Sequence, residues 1–427
     1  MTAEEFLSKH RLGEEFVDEE KVASIFRGEM EKGLKGEKSS LKMIPTYACS
    51  PSSIPSGESV IVMDAGGTNF RTCLVTFSED GKPVISDFQR IGMPGVDREV
   101  CADEFYSIFA SAIEPFLGRS RRIGFCFSYA AEITADHDGI PLLFSKEVKA
   151  PETIGKPLGK NILSVLQRRG RDVSDMKISV VNDTVATLLA ARAEGGAEAA
   201  GYVGFILGTG TNTAYVEKNE NIKKIDLNEG VQIINTESGC LDIELTDLDL
   251  GFNLTTNDPS SYHLEKMISG AYLGAFTFYV LSRAVDEGVF SSSFASGFRT
   301  LDHLSTIAVG AYITSPWDRN NPLGGIIFSE EDSKALYRII KAVILRAAKL
   351  TALNLASAVL KSGVGTSPEH PVVINADGTT FYRLPFLERY TRIFLDRILE
   401  VENGVYYMIV NIESSPIIGA AISALAL

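Results

Sequence analysis

Apolar and polar positions along this chain switch repeatedly between helical and strand spacing. Residues 2–34 are charged, with apolar positions at Phe6, Phe16, Val22, Phe26 and Met30, which predicts one or two amphipathic helices. Thr2-Ala3-Glu4-Glu5 supplies a capping box for the first of them. Pro51, Ser52, Ser53, Pro55, Ser56 and Gly57 form a linker into a first strand. Beyond it the pattern predicts strands near 60–64, 70–77, 122–127, 178–181, 202–207, 231–234 and 372–375. Helices are predicted at 105–117, 162–168 and 262–286, and from a Ser329-Glu330-Glu331-Asp332 start to Lys361. A final helix is expected from about Ile418. Strands alternating with helices in two successive stretches describe two α/β units.

Three junctions in this pattern carry candidate chemistry. The first apolar strand ends in Asp64, turns through Gly66-Gly67, and continues with Thr68, Asn69 and Arg71 into a second strand. Paired glycines let backbone N–H groups approach an anion closely. Asp64 is a candidate ligand for hydrated Mg²⁺, which favours a carboxylate, water and substrate phosphate together. The same plan returns at Gly208-Thr209-Gly210-Thr211-Asn212, again between two strands. Two such turns facing one another would grip a polyphosphate. The third junction is Val180-Val181-Asn182-Asp183-Thr184, where a strand meets a helix. Ligands of open α/β sheets bind outside the carboxyl ends of strands. Asp183 is therefore a candidate general base, its charged form favoured by the helix dipole; the competing reading is a plain helix cap. No Walker loop and no Gly-x-Gly-x-x-Gly before a helix is present, which disfavours P-loop and dinucleotide folds.

These segments, in this order, resemble the hexokinase family of the actin/Hsp70/sugar-kinase (ribonuclease H-like) fold. Asp64 to Arg71, Asn182 to Thr187 and Gly208 to Asn212 carry the resemblance, with Asn235-Thr236-Glu237-Ser238-Gly239 and Leu264 to Gly274. It runs from Ser56 to the C-terminus. It implies a two-domain α/β fold with a central cleft: N-terminal helices (1–55) packing on a large domain, a small domain (56–182), a large domain (183–415) and a C-terminal helix (416–427) returning to the small one. It implies an ATP- and Mg²⁺-dependent kinase acting on the 6-hydroxyl of glucose or a related hexose. Asp183 and Lys146 would be catalytic; Ser128, Ser145, Lys146, Asn182, Asp183, Asn212, Glu237 and Glu265 would hold the sugar. Asp64, Gly66, Gly67, Thr68, Asn69, Arg71, Gly208, Thr209, Gly210, Thr211, Asp377, Gly378, Thr379, Ser415 and Gly419 would hold the nucleotide, with Asp64 on the metal. Two departures stand out. Phe125-Cys126-Phe127-Ser128-Tyr129-Ala130 keeps the family's serine and loses its proline. Ser414-Ser415-Pro416-Ile417-Ile418-Gly419 replaces a glycine-rich loop, so weaker or altered donor binding is expected there. Two alternatives share the fold: a sugar sensor with weakened catalysis, and a protein-remodelling ATPase, which would not need Glu237 and Glu265.

Composition narrows the field little further. A net charge of −14 argues against nucleic-acid binding as the main role. No signal peptide is expected at the N-terminus, and the apolar stretch 343–360 carries Arg346 and Lys349, so no membrane partner is expected. The five cysteines, an odd number without a C-x-x-C pair, fit reduced and mostly buried thiols of a cytoplasmic protein. The histidines are scattered.

Overall fold

The computed structural model describes residues 1–49, 55–144, 148–194, 199–327 and 329–427. Among the described residues thirteen strands are formed: β1 (Ile44–Pro45), β2 (Ser59–Gly66), β3 (Asn69–Phe77), β4 (Pro83–Gly92), β5 (Arg122–Phe127), β6 (Ala130–Ile133), β7 (Gly139–Leu143), β8 (Lys177–Val181), β9 (Gly201–Leu207), β10 (Thr211–Lys218), β11 (Val231–Asn235), β12 (Val372–Asp377) and β13 (Tyr407–Val410). They make a five-stranded sheet, β4-β3-β2-β5-β8, a six-stranded sheet, β1-β11-β10-β9-β12-β13, and the β6–β7 hairpin.

The two large sheets repeat one plan. In the first, β2, β3 and β4 run antiparallel, while β5 and β8 join β2 in parallel. In the second, β9, β10 and β11 run antiparallel, while β12 and β13 join β9 in parallel. The matched Gly/Thr segments are the turns of the equivalent hairpins, β2–β3 and β9–β10. Between the sheets lie two helices, Asp183–Glu194 and Ser415–Leu425. The first contacts β9 and β12; the second contacts β2, β5 and β8; the two also pack on each other. Their interior is made of small side chains, Ala186, Ala190, Ala420, Ala421 and Ala424, all fully buried.

That packing needs absent side chains. A Cβ at Gly419 would stand 1.8 Å from the Ala186 carbonyl oxygen, and one at Gly204 would stand 2.3 Å from the Thr184 carbonyl oxygen. The close approach fixes the start of the Asp183–Glu194 helix against β9 on one side and against the C-terminal helix on the other. The other large core surrounds the 33-residue helix Glu330–Ser362. This helix is long and apolar enough to cross a membrane, but 89% of its apolar window is buried inside the protein. Its Arg346 pairs with Asp249 at 2.6 Å, and its Lys349 with Glu19 at 2.7 Å. The N-terminal helices Ala3–Lys9 and Glu19–Lys35 place Phe6, Val22, Phe26 and Met30 in that same core, and Thr2 forms the expected capping box.

Several expectations are corrected. The strand expected to end at Asp64 continues to Gly66. The helix expected over 262–286 is two, His263–Ile268 and Gly270–Asp286. It breaks because the N–H groups of Gly270 and Ala271 bond to the carbonyls of Gly208 and Thr209, at 2.9 and 3.1 Å. The last helix begins at Ser415, so the segment read as an altered loop is helical. Pro416 sits in its first turn, where the missing N–H costs nothing. Ile417 and Ile418 are buried core residues. The cysteines are not mostly buried: Cys73 and Cys126 are, Cys49 and Cys101 are exposed, and Cys240 is intermediate. β1 has no counterpart in the sequence reading.

Gly419→Ala isolates the interhelical contact. Alanine favours a helix over glycine by about 1 kcal/mol, but overpacking costs about 1–3 kcal/mol and more against fixed backbone. Urea unfolding should therefore show a net loss of at least about 2 kcal/mol with unchanged m. A neutral or stabilised Gly419→Ala protein would contradict the packing argument.

Candidate active site

Asp183 is the first residue of its helix, directly after β8. Its Oδ1 accepts the Thr184 N–H at 2.8 Å, and Asn182 Oδ1 accepts the same N–H at 2.9 Å. Burial pushes the Asp183 carboxyl up to about 6; the negative charge of Glu237 adds to the rise, while bonds from Thr184 and Ser128 oppose it. A carboxyl near 6 is ionised at neutral pH yet more basic than an ordinary aspartate, which suits a proton acceptor.

Ser128, at the end of β5, reaches Asp183 from one side and lies against Gly66 on the other. The loss of proline at Ala130 is met by Tyr129, whose hydroxyl donates to the Gly67 carbonyl at 2.7 Å. The second sheet brings the remaining acceptors. Asn212 Nδ2 donates to Asn235 Oδ1 at 2.7 Å and lies 3.4 Å from Glu237 Oε1. Asn235 Nδ2 donates to the same Glu237 oxygen at 2.8 Å. Glu265 Oε2 accepts the Thr211 N–H at 3.0 Å. Burial raises both glutamates, and the Glu237 charge raises Glu265 further. Glu237 holds a left-handed backbone, φ 55°, unusual away from glycine, asparagine and aspartate, and such conformations concentrate at functional sites. Asn235 belongs among the site residues; the Asn-x-Glu motif was the signal for it.

The two hairpin turns lie beside these acceptors. Gly67 and Thr68 are exposed; Asn69 is held by Arg90 at 2.7 Å. Asp64 is buried and receives Arg71 Nη1 at 3.0 Å. Burial raises its carboxyl while the Arg71 charge lowers it. Among the described residues no three His, Cys, Asp or Glu side chains are grouped so as to hold a metal ion by themselves. This donor set fits Mg²⁺ only in its common mode, through one carboxylate with water and phosphate oxygens. In the second turn, Gly208 O accepts from Thr380 Oγ1 at 2.8 Å, which ties the turn to Asp377, Gly378 and Thr379. Asp377 Oδ1 accepts the Gly378 N–H at 2.6 Å. A cavity of about 710 Å³ opens there, lined by Thr209, Ile307, Thr379, Arg383 and Pro385 among others. Ile307, 85% exposed at the start of the helix Thr306–Thr314, was not singled out from the sequence; an apolar residue open to solvent at a helix start is its only signal.

Two residues expected at the nucleotide lie in the interior. Ser415 is fully buried; its hydroxyl donates to Ile412 O at 2.6 Å and accepts from Asn375 at 3.0 Å. Gly419 is enclosed by Ala186. Both serve interior packing. Pro416 and the isoleucines, read as an altered loop, form a helix start. Ser145 and Lys146 lie outside the described residues.

Asp183→Asn tests the electrostatic strain. Because the folded carboxyl titrates near 6 rather than 3.8, its stabilising protonation is lost as pH rises through that window. Discounted for partial exposure, Asp183→Asn should stabilise the ligand-free protein by about 1–2 kcal/mol at pH 7.5, and hardly at all below about pH 4. Denaturant melts at the two pH values check this; equal differences at both would contradict the raised carboxyl.

Comparisons with known proteins bear on the family and the fold. Two family models, both described as hexokinase, match residues 2–193 and 202–426. The chain is 29% identical over 421 residues to Hexokinase-1 of Mus musculus, covering 90% of this chain and 41% of that protein. It is 31% identical over 297 residues to a chloroplastic Hexokinase-4 of Oryza sativa, covering 64% and 57%. The chain thus spans less than two thirds of the length of these relatives. Among solved structures, a Schistosoma mansoni hexokinase complexed with glucose matches with TM-score 0.79 at 22% identity, over the whole of both chains. A hexokinase of Thermus thermophilus matches with TM-score 0.54 at 15% identity, covering 86% of this chain and 97% of that one. At such identities these structures speak for the actin-like sugar-kinase fold.

Proposed function

The chain belongs to the hexokinase family, and on that premise we propose that it transfers the γ-phosphoryl group of ATP to the 6-hydroxyl of glucose or a related hexose. The observation that carries this reading is the single cluster of Asp183, Ser128, Asn212, Glu237 and Glu265, with the Asp183 carboxyl tuned to about 6. Such a set pairs with adjacent hydroxyls as a sugar presents them. In this reading residues 56–182 form the smaller lobe and residues from 183 the larger, and the sugar lies between them.

Asp183 takes the proton of the attacking hydroxyl as its oxygen bonds to the γ-phosphorus and the bond to the departing ADP oxygen breaks. Asn182, Asn212, Glu237, Glu265 and Ser128 orient the sugar, and Ser145 and Lys146 complete that set. Backbone N–H groups of the Gly66–Asn69 and Gly208–Thr211 turns hold the phosphates. The cavity beside Thr379 and Ile307 takes the nucleoside. Asp64 would hold Mg²⁺, which supplies charge neutralisation on the donor's phosphates. A cytoplasmic setting suits an enzyme fed by soluble hexose and ATP. A sugar sensor with weakened catalysis is the alternative, and turnover in the assay separates the two.

A coupled assay of the purified chain, with a hexose panel against ATP, GTP, pyrophosphate and polyphosphate, tests the reading. ATP with a hexose should be the productive pair, and kcat/KM should climb with pH through about 6. Asp183→Ala should lower kcat by about 10²- to 10⁴-fold. Retention of more than roughly a tenth of wild-type kcat would remove Asp183 from its role.

A further inference from the structure

The helix Glu330–Ser362 carries a buried amide within its apolar stretch: Asn354, between Leu353 and Leu355, is 2% exposed. Asparagine is a poor helix former, and a buried amide costs stability unless it is bonded. Its bonds leave the helix. Asn354 Nδ2 donates to Thr213 Oγ1 at 2.9 Å and to Ser238 Oγ at 3.3 Å, and those two hydroxyls bond to each other at 3.2 Å. The three side chains close a triangle, and all three are buried. A cavity of about 10 Å³ beside it, room for one water at most, is lined also by Phe26, Met30 and Leu41. The N-terminal segment thus closes the triangle off from solvent.

Two corners of the triangle adjoin the candidate site. Ser238 follows Glu237 directly, and its N–H donates to Asn212 Oδ1 at 3.3 Å. The Thr213 N–H donates to the same oxygen at 2.7 Å. With Oδ1 engaged by two backbone donors, the Asn212 amide turns its Nδ2 toward Asn235 and Glu237. Thr236, on the other side of Glu237, is held as well: its N–H and its hydroxyl both donate to Thr213 O, at 3.0 and 2.7 Å. Glu237 is therefore clamped between two anchored neighbours while its own backbone is left-handed, with φ 55° and ψ 49°. A residue other than glycine keeps that conformation only where its surroundings over-determine it. On the Ser238 side, the side-chain anchor is the Asn354 amide together with the Thr213 hydroxyl.

We infer that Asn354 is a positioning residue for the hexose: from the core of the long helix it fixes Ser238, and through Ser238 the orientation of the Asn212 amide and the backbone of Glu237. This rests on the hexose reading of the site. Asn354 acts on the sugar only through Ser238 and Thr213. The nucleotide turn is tied down by a different bond, from Thr380 Oγ1 to Gly208 O. Asp183 stands at the end of β8, in the other sheet. Loss of the amide therefore weakens the grip on the hexose and leaves the grip on the donor alone.

The test compares the wild-type chain, Ser238→Ala, Asn354→Leu and the triple variant Asn354→Leu/Thr213→Val/Ser238→Ala, with ATP and the best-used hexose of the panel varied in turn. Asn354→Leu keeps the shape but leaves two buried hydroxyls with only each other, so its thermal midpoint should fall and its hexose KM rise by about 5- to 30-fold. Ser238→Ala leaves Asn354 paired with Thr213 and is the milder change, with a rise of about 3- to 10-fold. In the triple variant no member of the triangle is left unpaired, so the midpoint should recover toward wild type. Its hexose KM should nevertheless stay at least about fivefold high, and the KM for ATP should hold within about twofold throughout. A wild-type hexose KM in Asn354→Leu and Ser238→Ala would overturn the inference. So would a hexose KM that returns with the midpoint in the triple variant, or a rise shared equally by the KM for ATP. A wild-type chain that turns over no hexose would instead sink the parent reading, and this one with it.

Discussion

The structure depends on the contact between two helices held between two sheets. The Asp183–Glu194 and Ser415–Leu425 helices meet through alanines and one glycine, with Ala186 O lying where a Cβ of Gly419 would sit. Gly204 lets β9 come equally close from the other face. Close-packed interiors transmit displacements of a methyl group rather than absorb them. The N-terminus of the Asp183 helix therefore has one position relative to both sheets. From that position Asp183 meets Ser128 of one sheet and feels Glu237 of the other. The site is the place where the duplicated sheet plan converges, and the small-residue interface is what fixes the convergence.

The electrostatics follow from the same enclosure. Crowding Asp183, Glu237 and Glu265 into a poorly solvated space raises all three carboxyls. That arrangement costs stability in the free protein and gives acceptors whose charge is easily neutralised by a hydroxyl proton or a cation. Arg71 and Lys266 limit the cost for Asp64 and Glu265. The helices before β1 are tied to the core around Glu330–Ser362 by Glu19, which pairs with Lys349 and Arg397.

Much of this was legible in the sequence, for local reasons. Asp64 before Gly66-Gly67, and Gly208 to Thr211, could be read as strand–turn–strand because apolar runs and glycines mark such hairpins within a few residues. Asn182-Asp183 could be read because a strand and a helix meet there. What was not legible depended on distant partners. The break at Ser269 is made by bonds from Gly270 and Ala271 to a turn some sixty residues earlier, and both flanking segments have helical spacing. Ser415 and Gly419 carry motif positions associated with nucleotide, yet Asn375 and Ala186 enclose them. β1 is two residues long and contains a proline, so no periodicity announces it. The rise of Asp183 to about 6 needs the burial and the charge of Glu237, neither visible from a helix start alone.

The most direct measurement of the central claim is a crystal structure of the chain with a hexose and a non-hydrolysable ATP analogue. The account predicts one hexose whose hydroxyls bond to Asp183, Asn212, Glu237 and Glu265 together, with its 6-hydroxyl between Asp183 and the γ-phosphate. A hexose bound elsewhere, or one that leaves Asp183 without a sugar hydroxyl, would contradict it.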